Sequence, residues 1–194
     1  MIAYVKINPN KIMEMSFLGK NSFKFRTKTL TLVVDPINPK ERADVVVYTG
    51  VPTVMVAGAA NRDKVFVIDK EGEYELGGVG IIVDRISPDK EDKLVRISAD
   101  GVAIADVCAL PADLPENTLE KLRESDLLIV PLSKSKLIEE VEPYIVVLSG
   151  YDKAVEVDQF LAAHKFEVVK RDIDKLKLDA DTLPDNTEVV VLNG

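Results

Sequence analysis

At 194 residues, with 46% hydrophobic and 30% charged side chains, the chain has the length and balance of one globular domain with a sizeable core. Its formal net charge of -8 repels phosphate backbones, and no dense Lys/Arg stripe interleaved with aromatics reverses that locally, which argues against nucleic acid as a partner. One cysteine, Cys108, and one histidine, His164, exclude an intrachain disulfide and any tight zinc site built from protein nitrogen and sulfur ligands.

No apolar run approaches the roughly 20 residues that span a bilayer, and Met1-Ile2-Ala3-Tyr4-Val5-Lys6 lacks the basic start and long apolar stretch of a signal peptide. A cytoplasmic location without membrane contact is therefore expected. Asn8-Pro9-Asn10 is a turn signal. It sets off residues 1–10, an N-terminal extension readable as an extra edge strand or a frayed arm, from a single domain over residues 11–194.

From Lys11 the pattern is β. Ile12-Met13-Glu14-Met15-Ser16-Phe17 partly alternates, Gly19-Lys20-Asn21 turns, and Ser22-Phe23-Lys24-Phe25-Arg26 alternates cleanly. Leu30-Thr31-Leu32-Val33-Val34 is a third strand, stopped at Asp35-Pro36, where proline ends the ladder and the aspartate stands at the strand tip. Val45-Val46-Val47 suits a buried strand that the turn Thr49-Gly50-Val51-Pro52 terminates. Ala57-Gly58-Ala59-Ala60-Asn61-Arg62 is weakly patterned, and Val65-Phe66-Val67-Ile68 resumes a strand. Gly72 to Val83 reads as two strand pieces broken at Gly77-Gly78, and Lys93 to Ser98 pairs with Val102 to Val107 across Ala99-Asp100-Gly101, a hairpin signal.

The C-terminal third changes period. Asn117, with Glu120 three residues on, is the expected cap of a helix carrying Leu119 and Leu122. A strand over 126–130, a helix over 135–142 ended by Pro143, and a strand over 144–148 follow. Asp152 is the expected cap of a helix to about Lys165 with Val157, Phe160, Leu161 and His164 on one face, and strands over 166–169 and 188–192 close the chain. A β-rich half followed by strand-helix alternation predicts an α/β (α+β) sandwich of two mixed β-sheets with helices outside.

Several of these stretches carry a resemblance. Met15-Ser16-Phe17-Leu18-Gly19-Lys20-Asn21-Ser22-Phe23, Leu32-Val33-Val34-Asp35-Pro36 and Gly72-Glu73-Tyr74-Glu75-Leu76-Gly77-Gly78-Val79 resemble the scaffold motifs of the small Zn-dependent hydrolase-like branch of the metallo-β-lactamase superfamily. The likeness covers most of residues 12–192 and implies a four-layer αββα sandwich. In that family a strand like Val45 to Val47 runs into His-x-His-x-Asp-His, whose side chains hold one or two metals. On this chain those positions fall near Gly50, Pro52, Val54 and Met55. The family's next motif, His-x-Gly-Asp, resembles Ala105-Asp106-Val107-Cys108-Ala109, with Asp106 for the histidine and Ala109 for the bridging carboxylate. In Glu142-Pro143-Tyr144-Ile145-Val146-Val147-Leu148-Ser149-Gly150-Tyr151, Gly150 replaces the last ligand. The resemblance thus implies the scaffold of the family with its metal ligands removed, and no cofactor, zinc included.

The residues themselves leave alternatives. Asp106 could join Asp35, Asp44 or Asp113 around magnesium or calcium, although strand-end aspartates more simply bond backbone N–H groups. Cys108, flanked by Val107, Ala109 and Leu110, reads as a buried thiol rather than a nucleophile, and His164 as a structural residue at a helix C-terminus. Lys20 and Asn21 could bind an anion or merely turn the chain. Tyr48, Ser149 and Tyr151 are expected to line the same vestigial pocket. The expectation is a pseudo-hydrolase with a vestigial site near Lys20, Asn21, Asp35, Asp44, Tyr48, Gly50, Asp106, Gly150 and Tyr151, binding an unknown small molecule or protein. The alternatives are a hydrolase with a noncanonical carboxylate site and a self-associating structural protein, a homo-oligomer built through residues 1–9 or exposed sheet edges.

Overall fold

A computed structural model describes residues 12–58, 64–87, 89, 92–164, 166 and 168–193. The N-terminal extension and most of the weakly patterned stretch after Gly58 lie outside the described residues.

Alternating side chains make the first strands two-faced. In β1 (Met13–Gly19) the buried residues are Met13, Met15 and Phe17. β2 (Ser22–Arg26) answers antiparallel with Phe23 opposite Phe17 and Phe25 opposite Met15. β3 (Thr31–Val34) pairs antiparallel with β2, and a two-residue strand, β4 (Arg42–Ala43), precedes β5 (Val45–Val47), which runs parallel to β3. β6 (Ala57–Gly58) pairs parallel with β4, and β7 (Phe66–Ile68) runs parallel to β5.

The second sheet begins with β8 (Gly72–Leu76) and β9 (Val79–Arg85), a hairpin turned by Gly77 and Gly78 at φ 59° and 81°. β10 (Lys93–Ala99) and β11 (Val102–Asp106) follow. Between them Asp100 and Gly101 both have positive φ, 54° and 84°, as the Asp-Gly hairpin signal requires. Then strands alternate with helices: α1 (Glu116–Arg123), β12 (Leu127–Pro131), α2 (Lys136–Val141), β13 (Ile145–Ser149) and α3 (Ala154–Ala163). The chain closes with β14 (Val168–Ile173), β15 (Leu176–Leu178) and β16 (Glu188–Leu192).

The six-stranded sheet has order β15-β1-β2-β3-β5-β7 and the eight-stranded sheet β14-β16-β13-β12-β11-β10-β9-β8. Both mix parallel and antiparallel pairs, and their apolar faces share one core that includes Phe23, Phe25, Leu32, Val45, Ile81, Val95 and Ile97. β12 and β13 are buried at every position and, Ser149 at the end of β13 excepted, apolar, because both of their faces are covered. All three α-helices among the described residues lie in connections of the eight-stranded sheet. Val33, Ala43, Val46 and Tyr48 form a second cluster behind the six-stranded sheet, covered by Leu18, Val56 and Val65. Among the described residues no helix is long and apolar enough to cross a membrane.

Three expectations need correction. α1 starts at Glu116 behind Pro115, which has φ -67° and ψ 151°, and no side chain caps it. Asn117 is inside the helix because the preset dihedral of proline fixes the entry two residues earlier, at Pro115. α3 starts at Ala154 behind an extended Lys153, so Asp152 makes no cap; its own backbone N–H instead donates to the Glu156 carboxylate at 3.4 Å. The last helix-following strand runs over 168–173, beyond the expected 166–169, and β15, unread in the sequence, closes the edge beside β1 with Leu176 and Leu178 buried.

Candidate functional site

Parallel strands deliver their carboxyl ends to one rim of the sandwich. Asp35 follows β3, Thr49 follows β5, Asp106 ends β11, Pro131 ends β12 and Ser149 ends β13. The two sheets are tied at this rim where the Lys93 backbone N–H donates to the Thr49 carbonyl at 3.0 Å.

On the side of the six-stranded sheet, Asp35 sits at φ 44° and accepts the Thr49 backbone N–H at 2.9 Å and the Thr49 hydroxyl. Burial raises its pKa, against the Thr49 hydrogen bonds and the positive charge of Lys93. Lys93 shares the inward face of β10 with Val95, Ile97 and Ala99 and is only 2% exposed. Its stem packs in the core, and its ammonium reaches the carbonyls of Tyr48 and Gly50 at 3.5 and 3.4 Å.

On the other side, Asp106 is fully buried. Its Oδ1 accepts the Cys108 N–H at 2.8 Å, while Oδ2 has no hydrogen-bond partner among the described residues. Burial pushes its pKa up to about 7; Asp35 adds to the rise, and the contacts to Cys108 and the charge of Lys134 oppose it. Lys134 follows β12 in a 3-10 turn and donates to the carbonyls of Val107 and Cys108 at 2.9 and 2.6 Å. Its own pKa is lowered by burial. Cys108 Sγ lies 3.2 Å from Ser149 Oγ, and burial, aided by Asp106, pushes the thiol well above its ordinary value. Such a thiol is a poor nucleophile.

The expected site residues divide. Asp35, Asp106, Gly50 and Ser149 share the rim. Gly150 is next to it, with φ 70° and its N–H donating to the Lys20 carbonyl at 2.8 Å. A Cβ there would stand 3.0 Å from Pro131 Cβ and 3.5 Å from Asn21 Oδ1, and Asn21 Oδ1 is buried without a hydrogen-bond partner among the described residues. Lys20 and Tyr151 form an isolated β-bridge and line a neighbouring cleft of about 270 Å³.

Three residues lie elsewhere. Asp44 accepts the Thr31 N–H at 2.8 Å, at the start of β3 and so at the opposite end of the strands from Asp35, because it precedes rather than follows β5. The Tyr48 side chain belongs to the cluster behind the sheet, and its hydroxyl donates to the Val54 carbonyl at 2.5 Å; the alternation of β5 turns it away from the rim. Asp113 is 92% exposed at its side chain and pairs with Lys136 at 3.6 Å. His164 is structural, with Nδ1 at 3.0 Å from the Phe160 carbonyl and Nε2 at 3.1 Å from Ser135 Oγ.

Sequence reasoning passed over Lys93, Lys134 and Thr49. Lys93 had a signal, since period-two counting along Lys93-Leu94-Val95-Arg96-Ile97 places it on the same face as Val95 and Ile97. Lys134 had none, because its reach depends on a turn.

This donor set does not fit a zinc ion. Among the described residues no group of three or more His, Cys, Asp or Glu side chains is placed to hold a metal. Asp106 Oδ2 could accept a cation, but hard cations take about six oxygen donors, and the Lys93 and Lys134 ammonium groups stand close enough to lower the pKa values of Asp35 and Asp106, respectively.

Residues 14–149 match the beta-lactamase superfamily domain family. Comparison with curated protein sequences gives no match. A Thermotoga maritima structure assigned as a Zn-dependent hydrolase of the metallo-β-lactamase superfamily is 23% identical with a TM-score of 0.74, covering 93% of this chain and 98% of that one. The metallo-β-lactamase-fold protein YhfI of Bacillus subtilis is 12% identical with a TM-score of 0.60, over 95% of this chain and 98% of its own. CmlA, a diiron β-hydroxylase from Streptomyces venezuelae, is 11% identical with a TM-score of 0.55, over 89% of this chain and 55% of its own. At these identities the likeness is one of fold. With its two mixed sheets and a family match over residues 14–149, the chain belongs to the metallo-β-lactamase superfamily.

Proposed function

We propose that this protein is a pseudo-hydrolase: a metallo-β-lactamase fold that works without a metal centre, as a cytoplasmic binding protein for a small ligand. The observation that carries the reading is the pair of lysines at the rim. Lys93 and Lys134 direct ammonium groups to the carbonyls of Tyr48, Gly50, Val107 and Cys108, on the loops where the family's resemblance places metal ligands. Two fixed positive charges beside two carboxylates supply internally the compensation that a divalent cation would supply, and they repel such a cation. Of the positions that the resemblance assigns to metal ligands, near Gly50, Pro52, Val54, Met55, Asp106, Ala109 and Gly150, only Asp106 offers a ligating side chain for zinc.

A second reading, a hydrolase with a carboxylate-held cation, has one observation in its favour, the unpartnered Asp106 Oδ2. Elemental mass spectrometry separates the two. Full-length protein is incubated with zinc, manganese, magnesium or calcium, and the excess is removed. The expected result is no stoichiometric metal and a melting temperature unchanged by chelator. Metal retained at one ion per chain, and lost in Asp106→Asn, would overturn the pseudo-hydrolase reading.

A further inference from the structure

We propose that the cleft beside Lys20 binds a small zwitterion with an apolar body, of the kind of a free aliphatic amino acid. This deepens the binding-protein reading by naming a ligand class. The cleft holds about 270 Å³, at or below the lower end of the roughly 300–1,000 Å³ of ordinary ligand sites. Its lining includes Phe17, Ile37, Val157 and Leu192, of which Ile37 is the exposed one.

Its charges are arranged in two kinds. Arg171 and Asp172 largely satisfy themselves: Arg171 pairs with Asp158 at 2.5 Å and lies 3.7 Å from Asp172. Lys20 and Asp152 have no ion-pair partner among the described residues, yet both line the cleft. Asp152 is the carboxylate that sequence alone assigns to capping α3; it makes no cap. An ammonium and a carboxylate without ion-pair partners among the described residues, both on the lining of one cleft, match a ligand carrying both opposite charges. A phosphorylated ligand would bring its negative charges against Asp152 and Asp172.

The backbone around the cleft also bears the mark of a shaped site. Lys20 and Asp172 are both held left-handed, at φ 55° and 56°, a conformation non-glycine residues adopt at a cost and one that clusters at ligand clamps. Lys20 follows a register shift in the β1–β2 pairing. Arg171 and Asp172 sit in another, between the Lys170–Val190 and Ile173–Leu192 pairs. Bulges re-aim side chains where a strand meets a site, and two bulges from opposite sheets converge on this cleft.

Isothermal titration of the full chain with L-leucine, L-isoleucine, L-methionine and L-phenylalanine tests the proposal. L-Leucine is compared with its two halves, 4-methylpentanoate, which lacks the ammonium group, and 3-methylbutylamine, which lacks the carboxylate. The expected result is saturable binding of at least one of the four amino acids, with each half of leucine at least about 10-fold weaker than leucine itself. Lys20→Ala should weaken leucine and the acid without affecting the amine, and Asp152→Asn should weaken leucine and the amine without affecting the acid. Both side chains are exposed, so both variants should fold, as an unchanged melting temperature would show. Absence of binding by all four amino acids up to about 10 mM, or halves as tight as the whole, would overturn the proposal. Metal analysis of the same samples keeps its failure distinct from that of the metal-free reading.

Discussion

Lys134 donates to the Cys108 carbonyl at 2.6 Å, on the turn whose Cys108 N–H is in turn accepted by Asp106. One ammonium thus holds the turn that holds the buried carboxylate. Lys134→Met keeps most of the apolar stem and removes both carbonyl contacts and the charge. The expected cost is about 1–3 kcal/mol, the range for leaving half-buried acceptors unpaired, read as a lowered urea midpoint. An unchanged midpoint would show that water replaces the ammonium.

The pH dependence of stability should carry the sign of Asp106. Its folded pKa is raised from 3.8 to about 7, so between about pH 4 and 7 the folded chain holds a proton that the unfolded chain has released. Stability from this group is therefore full below about pH 4 and falls as pH rises to about 7, by on the order of 4 kcal/mol in total. Asp106→Asn removes that slope. Urea denaturation at pH 5 and pH 8 should show the parent losing more stability than the variant between the two, and equal losses would mean that Asp106 is ionised at pH 5.

The elements legible in the sequence were those fixed by local chemistry. Ser22 to Arg26 alternates and forms β2 with the expected bounds, and the Asp100-Gly101 turn follows from two residues that tolerate positive φ. The rim was half legible. Asp35 and Asp106 are recognisable as strand-end acids, and each accepts a backbone N–H. Which residues neutralise them was not readable, because Lys93 and Lys134 are brought in by pairing between distant strands. The same holds for the cleft: Lys20 and Arg171 are 151 positions apart, and the bulge that exposes Arg171 and Asp172 arises from the β14–β16 register, for which no local pattern codes.

Gly150 shows why a ligating side chain has no place at the end of β13. Its φ of 70° is left-handed, and an added Cβ would meet Pro131 Cβ at 3.0 Å and Pro131 Cα at 3.4 Å. Gly150→Ala should lose about 2–3 kcal/mol, part from the backbone conformation and part from overpacking. Thermal melts would register a drop of several degrees. A variant as stable as the parent would mean that the Gly150–Tyr151 segment can shift freely against Pro131.

Lys93 permits the sharpest separation of charge from packing. Its side chain fills core volume beside Val95 and Ile97, while its ammonium serves the carbonyls of Tyr48 and Gly50 and offsets Asp35. Lys93→Ala removes both contributions and should cost about 3–5 kcal/mol, combining a cavity with unpaired polar groups. Lys93→Met restores much of the stem, and its remaining deficit isolates the ammonium. If the positive charge is needed to hold Asp35, Lys93→Met should stay below the parent at pH 8 and approach it as pH falls and the raised-pKa carboxyl of Asp35 takes up its proton, since a neutral acid needs no counter-charge. A deficit of the same size on both sides of the Asp35 titration, followed by its own carboxyl resonance, would assign the role of Lys93 to the two carbonyls alone.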